Sequence, residues 1–242
     1  MVGPIYEGSV MAVSPENLSV ALAVLGSPEE AVSTDTVWGQ TEIFYPERWT
    51  KRWPEGLSLP WFLEREESAL SVSRQRLFEL GESVETEEDA VSFYVAVCSW
   101  GAGTSALQTS RSVRPLHEPG APEKLLEGLR FASSGSGVEG YAMFGHSGPA
   151  KIKGLGPAFF TKLLYFAAGR PTPVDTRHPL ILDRRVAMAL QWKKTDGWST
   201  AEYSDYLDLV EQLHEQWRPD LPTDVIEYTL FHAGRTPDAP SI

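Results

Sequence analysis

Disulfides, metal clusters and membrane spans find little support in this 242-residue chain. Cysteine occurs once, at Cys98, so no internal disulfide can form and a cysteine-built metal centre is excluded. The five histidines (His117, His146, His178, His214 and His232) show no metal-ligand spacing, and no metal site is expected. No run of about 18 apolar residues exists, the length needed to cross a bilayer, so no membrane partner is expected. The opening MVGPIYEGSV lacks the basic stretch and apolar core of a secretory signal. No P-loop and no Ser-His-Asp order is present. These absences predict a cytoplasmic protein in a reducing setting, expected to be a monomer.

What is present is an ordinary globular balance. Hydrophobic residues make up 42% and charged residues 22%, which excludes a disordered chain. The length suits one large domain or two small ones. The net charge of −12 argues at long range against a polyanionic partner, but the average hides a pattern. Residues 1–70 carry −7, residues 71–150 carry −4, residues 151–200 carry +6 and residues 201–242 carry −7. One cationic block sits inside an anionic chain. It is either the place where a polyanion docks or an internally paired face.

Along the chain, residues 1–62 read as an irregular, tryptophan-rich N-terminal segment, with Pro15–Leu25 a candidate helix and Thr36–Tyr45 strand-like. Trp38, Trp49, Trp53 and Trp61 are interleaved with Arg48, Lys51 and Arg52. Such a cluster can stack bases and touch phosphates; more often it is the small core of a loop-rich segment. Residues 63–242 read as helical. Leu63–Leu80 is amphipathic and stops at Gly81. Thr86 with Asp89 resembles a capping box ahead of the apolar run to Trp100, which favours a buried helix over a strand. Pro122 opens a helix through Phe131, and a short helix is expected at Tyr141–Phe144. Ser199 with Glu202, and Asp224 with Glu227, start two further helices, with a frayed tail after Pro237.

The chemistry concentrates at residues 151–168, which read KIKGLGPAFFTKLLYFAA. Gly154 and Gly156 let the backbone turn tightly and approach a ligand closely. Leu155 would pin the turn from inside, and the following helix offers free N–H groups and the positive end of its dipole. Lys151 and Lys153 add cations. The result is a phosphate-binding hairpin that does not read sequence, or else a plain tight turn between helices; its place in the cationic block favours the former.

This run resembles the helix-hairpin-helix of DNA base-excision glycosylases, roughly L-P-G-V-G-x-K-T-A. It is most like bacterial proteins with an 8-oxoguanine DNA glycosylase fold, which share the GLGPAFFTKLLYF and LILDRRVA runs. Weaker likeness lies at Ser73–Gly81, Trp100–Gly103 and Ile226–Phe231. The resemblance implies a mainly α fold, a helix-hairpin-helix glycosylase-like bundle. It also implies a partner, double-stranded DNA with a damaged or modified base, and a catalytic aspartate opening the next helix. The implied DNA-binding residues are Lys151, Lys153, Gly154, Leu155, Gly156, Arg184 and Arg185. No cofactor is implied beyond a monovalent cation at the hairpin.

Two aspartates compete. Asp175 matches the V-D-T-H motif of relatives, but Pro179 follows four residues later and disfavours a helix there. Asp183 follows three apolar residues and precedes a clean helical pattern, so it is preferred, either as a catalytic group or as a plain helix cap. A fixed carboxylate would stabilise positive charge developing on the sugar, kept ionised by Arg184 or Arg185. Relatives that also cut the strand carry a lysine two residues after the second hairpin glycine. Ala158 stands there, which puts strand nicking in doubt. Lys162, one turn on, could attack C1′, contact phosphate or solvate the helix. The base must be extruded to be reached, and Trp100, Tyr94 and Tyr141 are the candidate pocket aromatics, or else core residues. A non-catalytic binding module and a small-molecule N-glycosidase are the competing readings.

Overall fold

The computed structural model describes residues 14–134 and 136–234. Twelve α-helices and one two-stranded sheet are found among them. Helices α1 (Pro15–Leu25), α2 (Thr34–Trp38) and α3 (Pro46–Thr50) flank strand β1 (Thr41–Phe44). Strand β2 (Leu70–Ser73) precedes α4 (Arg74–Gly81), α5 (Glu87–Ala102), α6 (Ala106–Val113) and α7 (Ala121–Ser134). Then come α8 (Gly137–Phe144), α9 (Pro157–Ala167), α10 (Arg184–Ala189), α11 (Thr200–Trp217) and α12 (Asp224–Ala233). None of these helices is long and apolar enough to cross a membrane.

Local chemistry sets most of the starts. Thr86 and Asp89 close a reciprocal capping box on α5, as do Ser199 and Glu202 on α11. Ser136 and Glu139 do the same on α8, which therefore begins four residues before the expected Tyr141. The run from Ala90 to Trp100 is indeed helix, buried at nearly every position. Helix α9 is buried from Phe160 to Ala167. A helix apolar all round must be wrapped by others, and α5 and α9 pack on each other at the middle of the bundle.

Two expectations fail. Leu63–Leu80 is not one helix: a 3₁₀ turn at Trp61–Leu63 gives way to exposed Glu64–Ser68, then to β2 and α4. Leu70–Ser73 alternates with a period of two, burying Val72 and pairing antiparallel with β1 (Thr41↔Ser73, Phe44↔Leu70). Ser73 then caps α4 by accepting from the Arg76 N–H at 3.1 Å. A partner 29 residues away is invisible to local periodicity. Likewise Thr36–Tyr45 is not all strand. Ser33 caps α2 with a bond from the Thr36 N–H, Gly39 ends it, and only Thr41–Phe44 is extended.

The tryptophan-rich segment joins the common core. Trp49 is fully buried, while the Trp53 indole N–H donates to Leu57 O at 2.8 Å and that of Trp38 to Asp224 Oδ2 at 2.9 Å. Trp61 stays exposed. The tail beyond Gly234, including the stretch after Pro237, lies outside the described residues.

Candidate active site

The hairpin turns where the glycines require it. Gly154 has φ +88°, a conformation that side chains rarely adopt. Leu155 points inward and is buried, and its N–H closes the turn on Ile152 O at 3.1 Å. Gly156 is the N-cap of α9, with no side chain capping the helix and open space where a Cβ would stand. Lys151 and Lys153 are exposed on either side of Ile152, and Lys151 Nζ is 3.3 Å from His146 Nδ1. The carbonyls of Ile152 and Gly156 already accept backbone N–H groups. This donor set does not single out a monovalent cation.

Helix α9 carries Lys162 away from the hairpin and into the protein. Its Nζ donates to Ala158 O at 2.7 Å and to Asp183 Oδ2 at 3.2 Å, with both side chains largely buried (8% and 14% exposed). The aspartate is held there by a pinned segment. Tyr203 Oη accepts from the Leu180 N–H at 3.0 Å, Tyr206 donates to Ile181 O at 3.0 Å, and Thr161 Oγ1 accepts from the Leu182 N–H at 3.2 Å. Asp183 then caps α10, its Oδ1 accepting from the N–H groups of Arg185 (2.9 Å) and Val186 (3.3 Å). One oxygen caps the helix and the other faces Lys162. Burial pushes this carboxyl up, but the Lys162 ammonium and the two amides outweigh it and hold it below the usual range.

The expected helpers sit differently. Arg184 and Arg185 are exposed, Arg185 lying 4.8 Å from the Phe231 ring centroid, and neither guanidinium is what holds Asp183 ionised. Asp175 lies in an exposed turn, opens no helix, and bonds His178 Nδ1 at 3.1 Å. The three pocket aromatics are core residues. Tyr94 donates to Ser112 O at 2.7 Å, and Tyr141 donates to Trp198 O at 2.6 Å while stacking on Tyr203 at 4.3 Å. Trp100 is packed edge-on against Phe166 at 5.4 Å and donates to Gln40 O.

Other residues border the pair. The Phe159 ring lies 5.8 Å from Lys162 Nζ. A Cβ on Gly101 would stand 3.3 Å from both Lys162 Cδ and Phe159, so the end of α5 forms a wall of the site with no side chain on it. Gly101 and Phe231 lie in runs of weak family likeness, which was the available signal. Behind them is a buried network with no local signature. Arg74 Nη1 contacts Glu227 Oε2 at 2.8 Å and Tyr165 Oη at 3.3 Å, and Tyr165 donates to Asp224 Oδ2 at 2.8 Å. Burial pushes the Glu227 and Asp224 carboxyls up despite Arg74. Two surface depressions, ≈ 670 Å³ along acidic α11 and ≈ 620 Å³ between Tyr141–Pro149 and Gly197–Thr200, include neither Lys162 nor Asp183.

The arrangement thus places a hairpin with open backbone donors and flanking cations at one end of α9. A buried amine–carboxylate pair lies one turn and a half along the helix, suited to stabilise a cation or move a proton. No curated protein and no solved structure matches the chain. A family model does match, over residues 35–231, nearly all of the described bundle from the tryptophan-rich segment to α12. The chain therefore belongs to the family described as "Putative 8-oxoguanine DNA glycosylase OGG-like protein".

Proposed function

We propose that the protein is a DNA N-glycosylase that takes a damaged or modified base out of the duplex and cleaves its glycosidic bond, with Asp183 and Lys162 at the reacting sugar. The observation that carries this reading is the 3.2 Å contact of Lys162 Nζ with Asp183 Oδ2, on the helix that begins at the hairpin. Phosphates held by the backbone donors at Gly154–Gly156 and by Lys151 and Lys153 would bring one strand to the mouth of this pair. As the C1′–N bond lengthens, its electrons leave with the base and positive charge grows on the sugar. The Asp183 carboxylate, kept ionised by Lys162 and by the start of α10, opposes that charge.

Two nucleophiles fit. In the first, Asp183 takes a proton from water, whose oxygen bonds to C1′. In the second, the Lys162 ammonium passes a proton to Asp183 Oδ2 and the freed amine bonds to C1′, which permits a Schiff base and strand cleavage. The family description favours oxidised guanine as substrate. A bulkier modified base of the kind phages carry is the alternative, which would make the activity antiphage defence instead of repair. Asp183 Oδ1 also caps α10, and this favours a second reading, a non-catalytic DNA-binding module.

Mass spectrometry of bases freed from oxidised, alkylated and phage-modified DNA tests the proposal. The wild type is expected to release a base and Asp183→Asn to release none while still binding DNA. Release from no substrate would leave the binding module. Borohydride trapping of a covalent adduct, lost in Lys162→Ala, selects the amine; base release without an adduct selects water.

A further inference from the structure

Helix α6 is strung between the two parts of the candidate site. At its near end Gly101, two residues before the Gly103 turn that leads into α6, lies against Lys162. At its far end the 3₁₀ turn Arg114–His117 follows directly, and Pro115 is the residue that a Cβ on Gly154 would meet, at 3.7 Å. Eight residues at 1.5 Å each make α6 about 12 Å long. Its first residue follows Gly101 by five positions, and its last runs directly into the turn that lies against the hairpin glycine.

One face of this strut has no internal use. Thr109, Ser112 and Val113 are its buried residues. Leu107, Arg111 and Arg114, at i, i+4 and i+7, share the opposite side, and all three are exposed, Leu107 at 59%. Neither arginine has an ion-pair partner among the described residues, in a chain with an excess of 12 negative charges. Exposed Arg52 adjoins the far end of this strut, where His117 Nε2 lies 3.0 Å from the Arg52 backbone carbonyl. Unpaired arginines in an acidic protein, continuous with a phosphate-binding hairpin, complement a polyanion.

We propose that this face of α6 is a second docking element for duplex DNA. Arg114, beside the Pro115 that lies against the hairpin glycine, and Arg111, one turn before it, take backbone phosphates next to those at the hairpin, and Leu107, at the end of α6 nearer Gly101, packs against the base stack opened beside the extruded nucleotide. The inference rests on the glycosylase reading, because it uses the same DNA bound across the same site. It explains why a large apolar side chain stands in solvent in line with two arginines.

Binding of a fluorescein-labelled duplex carrying one abasic-site analogue, titrated with salt, tests the claim. Each phosphate contact contributes about 0.9 to the slope of log Kobs against log salt. R111A/R114A should therefore be shallower than wild type by roughly 1.8, and R111K/R114K should restore the slope. With 2-aminopurine next to the analogue, wild-type binding should raise fluorescence by unstacking. L107A should lose most of that rise, whereas V174A, an exposed apolar residue outside the patch, should keep it. An unchanged slope in the folded double variant, with wild-type binding intact, overturns the docking role of α6 alone. Absence of wild-type binding at low salt overturns the glycosylase reading with it.

Discussion

Asp183 divides its two oxygens between a helix cap and an ammonium, and this division allows the two contributions to be measured apart. Asn at this position keeps a carbonyl for the amides of Arg185 and Val186 but gives Lys162 no charge. Ala removes both. Loss of the charged hydrogen bond is expected to cost about 1–3 kcal/mol, and loss of the cap about 1 kcal/mol more, so urea denaturation should rank the stabilities wild type > D183N > D183A. The pH dependence follows from the lowered carboxyl. A carboxyl whose folded pKa lies below its unfolded value contributes stability above the unfolded value and loses it as pH falls through the folded one. The advantage of wild type over D183N should be full at pH 7 and should shrink as the solution is acidified below about pH 4. If the same carboxylate opposes charge on the sugar, D183N should slow base release by at least about 100-fold, far beyond what its stability loss explains.

At the scale of elements, helix contacts rather than propensities decide several positions. Gly81 ends α4 as an amphipathic pattern stopping at glycine suggests. Its φ is not in the left-handed region, however, so conformational freedom is not what it supplies. It supplies room: a Cβ there would stand 2.5 Å from Phe166 O on α9. By helix propensity Gly81→Ala should stabilise by up to about 1 kcal/mol. Because the backbone of α9 must move to admit the methyl, the expected result is a loss of about 1–3 kcal/mol, read as a lower urea midpoint at unchanged m-value. Since α9 carries Lys162 and contacts α4, the same substitution should reduce base release more than an equally destabilising change on α11. Elements also explain the two local misreadings. A four-residue strand such as β2 exists because β1 lies beside it, and nothing in Leu63–Leu80 encodes that neighbour.

For the molecule as a whole, the buried contacts tie early and late elements of the described residues together behind the site. Arg74 on α4, Tyr165 on α9 and Glu227 and Asp224 on α12 form one hydrogen-bonded group, and Trp38 from the N-terminal part joins it through Asp224. Charges taken out of water are costly to strand alone and nearly neutral when removed together. Arg74→Met and Glu227→Leu are each expected to destabilise by about 3–5 kcal/mol, while the double variant should recover most of that loss in a denaturation double-mutant cycle. Simple addition of the two losses would show the pair to be energetically independent. The tryptophan-rich part shares the core of the helices: Trp38 donates to Asp224, and Trp49 and Phe44 are buried in the common hydrophobic cluster.

The sequence by itself determined the helical class, the caps at Thr86, Ser199 and Asp183, the turn at Gly154–Gly156 and the resemblance that pointed to a glycosylase. All of these depend on residues within a few positions of one another, where side-chain and backbone hydrogen bonds follow local spacing. It also left two aspartates, three pocket rings and the role of Lys162 open. Only the tertiary structure brought Lys162 and Asp183 together across 21 residues, placed Asp175 on His178, and sent Tyr94, Trp100 and Tyr141 into the core. Whether an aromatic faces a ligand or a neighbouring helix depends on what packs against it, and that is fixed by contacts distant in the chain.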